Sequence, residues 1–560
     1  MNKINQLRNI LNQQNCDGYL IPKNDEYFGE YVPKNKDRLK FISGFTGSAG
    51  LALILKNKSY LFVDGRYTLQ AKAEINKNFE ICEIPKIKPH YILKNLNKKI
   101  TLGFDPKLFT SSTLKNIISN SLIKPKPINN NLIDIIWKNK KKINNNKFYI
   151  LEEKYHGENY LNKISKVCKF LKLKDIHYLL TTATENISWL LNIRGSDALY
   201  SPLTNGKILF NKNGKIIFFT NIKKITPQIK KAFKKKVIFI KEELFVNYLR
   251  KIKNSKILID KKTCSFYYEK NIHSSNKLID IEDPIYLLKA IKNKTEISNA
   301  KIAHLFDGIA LTKFIFWLKN NYKKQNKDFL YPSFITISGF AANGAIVHYR
   351  SSHKTSKTIK GNNLYLLDSG SQYFYGTTDV TRTIAIGEIS NFKKKIYSNV
   401  LKGHIAVALY KINKSTLGKH IDRIARAPLL KLSHNYSHGT GHGVGYFLNV
   451  HEGPQGLSPF NNHKILPGMI LSNEPGFYKE NDFGIRIENL IYCEKINGNH
   501  SKFVNLTMVP IDKNCINKKL LNKKEINWIN SYHQKIFYIL KPFMNNTELK
   551  LLTEACSAIS

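Results

Sequence analysis

Residues 438–454, HGTGHGVGYFLNVHEGP, constrain this chain more than any other segment. They contain three histidines, His438, His442 and His451, and glycines alternate with other residues through the first half. Glycine allows close backbone approach and positive φ angles, so this composition suits neither a regular helix nor an ordinary strand. We expect a backbone shaped around a site. The segment alone leaves open a metal loop, a proton-relay loop or a structural turn.

Two carboxylates precede this segment, each beside an apolar run. Asp368 ends the run 364–367, which predicts a buried strand, and Asp379 begins a second run rich in β-branched residues. A polar, glycine-containing turn separates the runs, which predicts a hairpin with the two carboxylates side by side. Carboxylates this close repel each other unless a cation or a proton lies between them.

Two further carboxylates follow the histidine-rich segment. Glu474 comes after the apolar run 469–471, and Glu488 lies in the strand-like run GIRIENLIYC, with Arg486 on the same face. The chain order is therefore Asp, Asp, His, Glu, Glu. Two divalent cations would neutralise four carboxylates beside one imidazole. Hard oxygen ligands favour Mn, Co, Fe or Mg over an all-sulfur zinc site.

Seven motifs in combination resemble the catalytic domain of the pita-bread metallopeptidases, the family of methionine aminopeptidases, prolidases and aminopeptidase P. The motifs are AANGAIVHY, LLDSG, TTDVTRT, HGTGHGVG, NVHEGP, NEPGFY and GIRIEN. The resemblance runs from about residue 293 to about residue 510. The chain length and the N-terminal half resemble the three-domain, cytosolic type of Xaa-Pro aminopeptidase.

The family pattern implies a dinuclear metal site. In it, Asp379 and Glu488 bridge two divalent ions, Asp368 completes one ion, and His442 and Glu474 complete the other. Mn²⁺ is the expected metal, with Co²⁺, Fe²⁺ or Zn²⁺ as alternatives. A water with a lowered pKa attacks the carbonyl carbon of the first peptide bond, and Glu474 accepts its proton.

The resemblance also assigns residues that contact the substrate. His438 and His451 would stabilise the oxyanion and assist the leaving nitrogen, and His348 would orient the substrate near the leaving proline. Arg194, which follows Trp189 in a segment that resembles the wall of the family's cleft, would bind substrate. The alternative, a core Trp189 with Arg194 in a local ion pair, stays open.

Arg486 and Thr381 are expected to support the metal ligands from behind. More generally, only ten of the 89 basic residues are Arg. Where Lys is the default cation, a position that keeps Arg indicates a need for the planar guanidinium. The motif-like stretches contain five such positions: Arg66, Arg194, Arg350, Arg382 and Arg486. Arg66 and Asp64 are expected to be structural, because the resemblance places no ligand there.

The length of 560 residues accommodates several domains. The fold class expected is α/β, with two creatinase-like α/β N-terminal domains followed by a pita-bread metallopeptidase domain of α+β type. We predict the N-terminal domains over residues 1–148 and 149–290, the catalytic domain over 291–510, and a C-terminal extension packing on it over 511–560. Apolar residues at helical spacing across 286–321 predict one long helix at the entry to the catalytic domain.

The formal net charge of +48 is of the size found in nucleic-acid-binding proteins. The lysines are nevertheless spread along the chain, and Asn and Ile are also abundant, which is typical of a genome biased towards A and T. We interpret the charge as a solvated surface and expect no nucleic-acid partner. Seven scattered cysteines without a CxxC motif indicate reduced thiols.

The N-terminus lacks the apolar core of a signal peptide, and no run approaches the roughly 20 apolar residues of a membrane span. We therefore expect a cytoplasmic protein without membrane contact. The family resemblance adds the expectation of a homodimer.

These observations predict a metalloaminopeptidase that releases the N-terminal residue of Xaa-Pro-Yaa peptides. All five ligand positions are filled, unlike those of metal-free relatives such as creatinase. A prolidase-like dipeptidase remains an alternative, and cleavage of a tripeptide would distinguish the aminopeptidase from the dipeptidase. The other alternative is a non-enzymatic protein that holds peptide or nucleic acid in the same cleft, marked by salt-dependent, metal-independent DNA binding.

Overall fold

The structure is a computed structural model of the chain, and it describes residues 3–118, 122–138, 146–320, 330–351 and 355–560. The chain forms two compact units. The first contains Met1–Leu151 and Glu158–Tyr286, and the second contains Glu152–Gly157 and Leu287–Ser560. No helix in the described part of the chain is long and apolar enough to cross a membrane.

The first unit begins with a six-stranded mixed sheet in the order β4-β3-β2-β1-β5-β6. Its strands are β1 (Gly18–Pro22), β2 (Leu51–Leu55), β3 (Ser59–Asp64), β4 (Glu80–Ile84), β5 (Ile100–Phe104) and β6 (Ile123–Pro127). The helices are α1 (Lys3–Gln13), α2 (Arg38–Ser43), α3 (Thr68–Glu74), α4 (Pro89–Lys94), α5 (Ser111–Ile117) and α6 (Leu132–Ile136). Strand β1 is apolar and buried along its whole length, as a central strand covered on both faces requires.

A second six-stranded sheet follows in the order β12-β11-β10-β8-β13-β14. This part contains β7 (Tyr149–Ile150), β8 (Tyr178–Thr181), β9 (Ile193–Arg194), β10 (Lys207–Asn211), β11 (Ile216–Thr220), β12 (Val237–Lys241), β13 (Lys256–Ile259) and β14 (Lys277–Asp280). Its helices are α8 (Tyr160–Leu173), α9 (Thr184–Leu190), α10 (Pro227–Phe233), α11 (Phe245–Lys251) and α12 (Phe266–Asn271), whereas α7 (Glu153–His156) belongs to the second unit and α13 (Pro284–Ala290) begins in the first unit and ends in the second. Strand order and strand directions repeat those of the first sheet.

The second unit carries the motifs singled out above. Its helices are α14 (Lys294–Asn320), α15 (Asn391–Ala408), α16 (Gly418–Leu430), α17 (Lys523–Leu540) and α18 (Asn546–Cys556). Its first strands are β15 (Tyr331–Pro332), β16 (Ile337–Phe340), β17 (Asn363–Ser369), β18 (Ser371–Tyr373), β19 (Gly376–Thr377) and β20 (Val380–Ile386). The later strands are β21 (Gly441–Gly443), β22 (Glu452–Leu457), β23 (Ile470–Asn473), β24 (Gly476–Lys479), β25 (Phe483–Arg486), β26 (Asn489–Asn497) and β27 (His500–Asn505).

Two sheets of this unit position the site. One has the order β16-β17-β20 and the other the order β22-β21-β23-β26-β27. A large apolar cluster joins the first sheet, α15, α17 and α18, so the C-terminal helices pack on the same core as β17 and β20.

The single long helix predicted at the entry is wrong. The helical run divides into α13 and α14, with residues 291–293 between them. Asn293 and Glu296 form a reciprocal cap, since each side chain accepts a hydrogen bond from the other's backbone N–H. This cap begins a new helix, and apolar spacing alone does not reveal it.

Candidate metal centre

Asp368 and Asp379 lie at the same end of a pair of antiparallel strands. Asp368 is on β17 opposite Thr381 of β20, and Asp379 immediately precedes β20. Both carboxylates are buried. The connection between them is more elaborate than the predicted turn, because it contains β18 and β19. The pairing of the two flanking strands nevertheless brings the carboxylates together.

The two glutamates occupy the equivalent place in the second sheet. Strand β23 pairs with β26 so that Asn473 lies opposite Asn489. Glu474 follows the first of these residues and Glu488 precedes the second, so the register brings the two carboxylates to neighbouring positions. The run GIRIENLIYC is not one strand: it breaks at 487–488, between β25 and β26.

His442 lies on the short strand β21, and its ring is oriented by the backbone. Nδ1 donates to the Gly443 carbonyl at 2.9 Å, which leaves the lone pair on Nε2. Nε2 lies 3.5 Å from Asp379 Oδ2 and 3.4 Å from Glu474 Oε1. Gly441, the preceding residue, must be glycine, because a Cβ there would lie 2.0 Å from the Ser472 carbonyl oxygen.

The electrostatics of this cluster call for cations. Asp379, His442 and Glu488 each offer a ligand atom within 4.8 Å of the others. Burial, followed by repulsion from Asp368 and Glu474, raises the pKa of Asp379 well above its usual range. Burial, followed by repulsion from Asp379, does the same to the pKa of Glu488.

Asp368 completes the donor set on one side. Its Oδ2 accepts a 2.5 Å hydrogen bond from Arg486, whereas its Oδ1 is buried without a hydrogen-bond partner among the described residues. A buried carboxylate oxygen without a donor is costly unless something else coordinates it. Four carboxylates and one correctly oriented imidazole nitrogen are therefore a set that fits divalent cations.

Arg486 and Thr381 hydrogen-bond to the proposed ligands Asp368 and Glu488 without being ligands themselves. Arg486 Nε donates to Thr381 Oγ1 at 3.1 Å, and Thr381 Oγ1 donates to Glu488 Oε2 at 2.7 Å. The backbone N–H of Glu488 donates to the Thr381 carbonyl at 3.1 Å. The Arg486 guanidinium therefore links Asp368 to Thr381 and, through Thr381, to Glu488.

The remaining predicted histidines are also in this unit. His451 is half-buried, and its ring centroid lies 4.2 Å from that of His442. His348, also half-buried, follows Val347, whose carbonyl accepts a 3.5 Å hydrogen bond from Arg486. Their roles at the substrate stay predictions.

His438 belongs to a hydrogen-bonded chain that sequence reasoning missed. Its Nδ1 donates to the Gly439 carbonyl at 2.7 Å, and its Nε2 lies 2.9 Å from Tyr478 Oη. Tyr478 in turn accepts a 2.7 Å hydrogen bond from Arg486 Nη1. The motif NEPGFY contains Tyr478, but a single sequence does not show which way its hydroxyl points.

Arg194 lies in the first unit and is 1% exposed. Its Nη1 donates to the carbonyls of Ser188 and Ile193 at 2.9 and 3.2 Å. Trp189 is also buried, with the Lys163 ammonium 4.0 Å from its ring centroid. These contacts favour the alternative of a core tryptophan and a locally bound arginine, and substrate binding by Arg194 stays a prediction.

Comparison with protein families divides the chain into four matched segments. Residues 3–131 and 139–296 match two families described as Creatinase/Prolidase N-terminal domain. Residues 287–495 match metallopeptidase family M24, and residues 499–559 match the C-terminal region of that family. The predicted domain limits at 148, 290 and 510 remain predictions.

Curated relatives match along almost the whole chain. Xaa-Pro aminopeptidase 1 of Dictyostelium discoideum is 35% identical over 97% of this chain and 94% of its own length. A probable Xaa-Pro aminopeptidase P of Laccaria bicolor is 33% identical over 100% of this chain and 93% of its own length.

A crystal structure of an X-prolyl aminopeptidase from Caenorhabditis elegans is also similar. It superposes with a TM-score of 0.94 at 28% identity, over 100% of this chain and 99% of that chain. This match, with the creatinase and M24 matches, confirms the predicted fold class.

Proposed function

Because the chain belongs to the Xaa-Pro aminopeptidases of metallopeptidase family M24, we propose that it removes the N-terminal residue from peptides with proline at the second position. The observation that carries this proposal is the group of Asp379, His442 and Glu488, in which both carboxylates are buried. Burial and repulsion from neighbouring carboxylates raise the pKa values of Asp379 and Glu488, and divalent cations bound between the carboxylates would remove that repulsion.

Five residues would hold two divalent ions: Asp368, Asp379, His442, Glu474 and Glu488. The C. elegans relative has a di-nuclear active site. We assign Mn²⁺ to this chain, because oxygen donors outnumber the single imidazole nitrogen. When bound, the ions lower the pKa of a water molecule and polarise the carbonyl of the first peptide bond.

Glu474 is the proposed acceptor of the proton released by the attacking water. Its Oε1 accepts a 3.0 Å hydrogen bond from Ser472 Oγ, and Ser472 Oγ accepts one from the His442 backbone N–H, also at 3.0 Å. These two bonds hold the Oε1 atom of the carboxylate in place, 3.4 Å from His442 Nε2. A general base must be held within hydrogen-bond reach of the proton that it takes.

The three other histidines would act on the substrate. His451, beside His442, would donate to the oxyanion, and His348 would hold the part of the substrate that contains proline. His438 would hold Tyr478 beside Arg486, and its proposed substrate contact would replace the Nε2 bond to Tyr478, because Nδ1 is bonded to the Gly439 carbonyl. A proline nitrogen has no N–H, so the pocket beyond the cleaved bond needs no carbonyl acceptor for it.

The assembly and the compartment are proposals as well. The C. elegans relative is described as a cytosolic enzyme, and we propose the cytoplasm for this chain. We also propose a homodimer, which sedimentation velocity at several protein concentrations would test.

The experiment that tests the function uses full-length protein stripped of metal with a chelator. Ala-Pro-Pro, Ala-Ala-Ala and Ala-Pro are each incubated with the protein, with and without added Mn²⁺. We expect Mn²⁺-dependent release of alanine from Ala-Pro-Pro only. Cleavage restricted to Ala-Pro would indicate a dipeptidase, and absence of cleavage from protein that binds Mn²⁺ would overturn the proposal.

A further inference from the structure

Helix α16 carries a buried ion pair on the face that it turns to the core. Asp422 and Arg426 are 2% and 8% exposed and lie one helical turn apart. Arg426 Nε donates to Asp422 Oδ2 at 2.8 Å, and Nη2 donates to Oδ1 at 3.0 Å. This two-point contact fixes the orientation of both side chains.

The other hydrogen bonds of Arg426 hold the chain that enters the histidine-rich segment. Nη2 donates to the His438 carbonyl at 2.6 Å, and Nη1 donates to the Tyr436 carbonyl and to Asn435 Oδ1, both at 2.8 Å. The Tyr436 ring centroid lies 4.0 Å from the guanidinium carbon. The guanidinium is therefore held by hydrogen bonds in its plane and by the Tyr436 ring on its face. The ammonium group of lysine cannot reproduce this geometry.

Asp422 holds the same segment at Thr440. Its Oδ1 accepts hydrogen bonds from Thr440 Oγ1 at 2.7 Å and from the Thr440 backbone N–H at 3.2 Å. Because the Thr440 proton points to the carboxylate, the Tyr436 hydroxyl is the donor in its 2.6 Å contact with Thr440 Oγ1. The Thr440 carbonyl then accepts the backbone N–H of Glu474 at 2.8 Å.

We propose that Asp422 and Arg426 are positioning residues for His438 and Glu474, a role that rests on the proposed function. The pair acts on the His438 backbone directly and on Glu474 through Thr440, which also lies two residues before His442. Loss of the guanidinium releases two backbone carbonyls of residues 436–438 and leaves the Asp422 carboxylate without its cation. The Glu474 carboxylate and the His442 imidazole, both proposed metal ligands, would then be less firmly held in position.

The test compares Arg426→Ala with Arg423→Ala in full-length protein. Arg423 is an exposed residue of the same helix and serves as the matched control. Mn²⁺ is titrated calorimetrically into each metal-free protein, and kcat and KM are measured on Ala-Pro-Pro. We expect Arg426→Ala to weaken Mn²⁺ binding about 10- to 100-fold and to lower kcat more than it raises KM. Arg423→Ala should match the wild type.

Rescue separates positioning from a general loss of structure. Millimolar guanidinium chloride should restore part of the kcat of Arg426→Ala, whereas methylammonium chloride at the same concentration should not. A kcat loss that follows the unfolded fraction, with no response to guanidinium, would overturn the proposal. So would Mn²⁺ affinity and kcat equal to those of the wild type.

Thr440→Val gives a second route if Arg426→Ala does not fold. The substitution keeps the side-chain volume and removes only the hydroxyl that joins Tyr436 to Asp422. We expect about 10-fold weaker Mn²⁺ binding, and an unchanged affinity would overturn the proposal. If the wild type binds Mn²⁺ but cleaves no peptide, the proposed function fails, whereas the Mn²⁺ affinities still decide the positioning role.

Discussion

The hydroxyl of Thr381 donates a 2.7 Å hydrogen bond to Oε2 of Glu488, and this bond joins the two carboxylate-bearing halves of the site. The same hydroxyl accepts a bond from Arg486 Nε at 3.1 Å, so its proton is directed at the carboxylate. A backbone bond between the same two residues, from Glu488 N–H to the Thr381 carbonyl, holds them in register. The position of a proposed bridging ligand therefore depends on a residue that is not itself one of the proposed metal ligands.

Thr381→Val removes this hydroxyl at nearly constant volume. We expect Mn²⁺ binding to weaken about 10-fold, because the Glu488 carboxylate loses its orienting donor. Thr381→Ser keeps the hydroxyl and should retain affinity close to that of the wild type. Isothermal titration of the two metal-free proteins measures both values, and equal affinities for Val and Ser would contradict this role.

Glu488→Gln should separate stability from function. The substitution removes one charge from a cluster in which buried carboxylates repel each other, so we expect the metal-free variant to unfold at a higher temperature than the metal-free wild type. Mn²⁺ should raise the unfolding temperature of the wild type but not of the variant, because a ligand that binds only the folded state stabilises it. Peptidase activity should be lost.

Glu494→Gln is the matched control for this experiment. Glu494 lies on β26, the strand that Glu488 precedes, and it hydrogen-bonds Tyr492 at 2.7 Å, away from the cluster. This variant should keep the wild-type activity and the wild-type response to Mn²⁺. A higher unfolding temperature in Glu494→Gln as well would show that repulsion within the cluster is not the cause.

Acid should destabilise the second unit through buried histidines. Burial lowers the pKa values of His304, His404 and His533 to about 3, far below the value near 6.5 of an unfolded chain. Between these values the unfolded state binds more protons, so stability falls as pH falls through this window and is constant above it. At pH 5 each histidine costs about 2 kcal/mol relative to pH 7.

His304→Leu isolates one of these contributions. His304 Nε2 is buried without a hydrogen-bond partner among the described residues, so leucine loses no bond there. We expect the unfolding temperature of the metal-free variant to fall less between pH 7 and pH 5 than that of the wild type. Asp307, whose pKa burial raises to about 6, and Asp379 and Glu488, whose pKa values are also raised, act in the opposite direction, but they are common to both proteins. Parallel slopes would contradict the assignment.

Glu452 holds two lysines in the interior next to His451. Its two oxygens lie 2.8 Å from Lys289 Nζ and 2.9 Å from Lys292 Nζ, and all three side chains are almost inaccessible. Glu452→Ala leaves two buried ammonium groups without their counter-charge, and we expect a loss of about 3 to 5 kcal/mol. Urea unfolding followed by tryptophan fluorescence measures the loss.

Glu152→Ala provides the comparison for Glu452→Ala. Glu152 forms an ion pair with Lys154 in which both side chains are more than half exposed. Exposed pairs contribute about 0 to 1 kcal/mol, so this variant should unfold close to the wild type. A small effect in both variants would mean that the lysines of the buried group find other partners.

Arginine usage illustrates how far a single sequence leads. The scarcity of arginine correctly draws attention to Arg486, which binds Asp368 and Thr381. It also draws attention to Arg382, whose donors go to four backbone carbonyls, Asn489 and Tyr532, and it does not single out Arg426. Residue rarity indicates a need for a guanidinium but not what that guanidinium binds.

The sequence by itself determined the fold class and indicated the carboxylates that strand pairing brings together, whereas their role as metal ligands stays a prediction. Asp368, Asp379, Glu474 and Glu488 each adjoin a short apolar run, and strand pairing places such run ends together. Glycine alternation around His442 likewise indicated a backbone in close contact with its neighbours, as the approach of Gly441 to Ser472 shows.

Only the tertiary structure decided the contacts between distant segments. The orientation of Tyr478 towards His438 and the hold of Asp422 on Thr440 depend on partners 40 and 18 residues away along the chain. Local patterns report which face of an element is apolar. The direction of a polar side chain follows instead from the donors and acceptors that the folded chain brings to it.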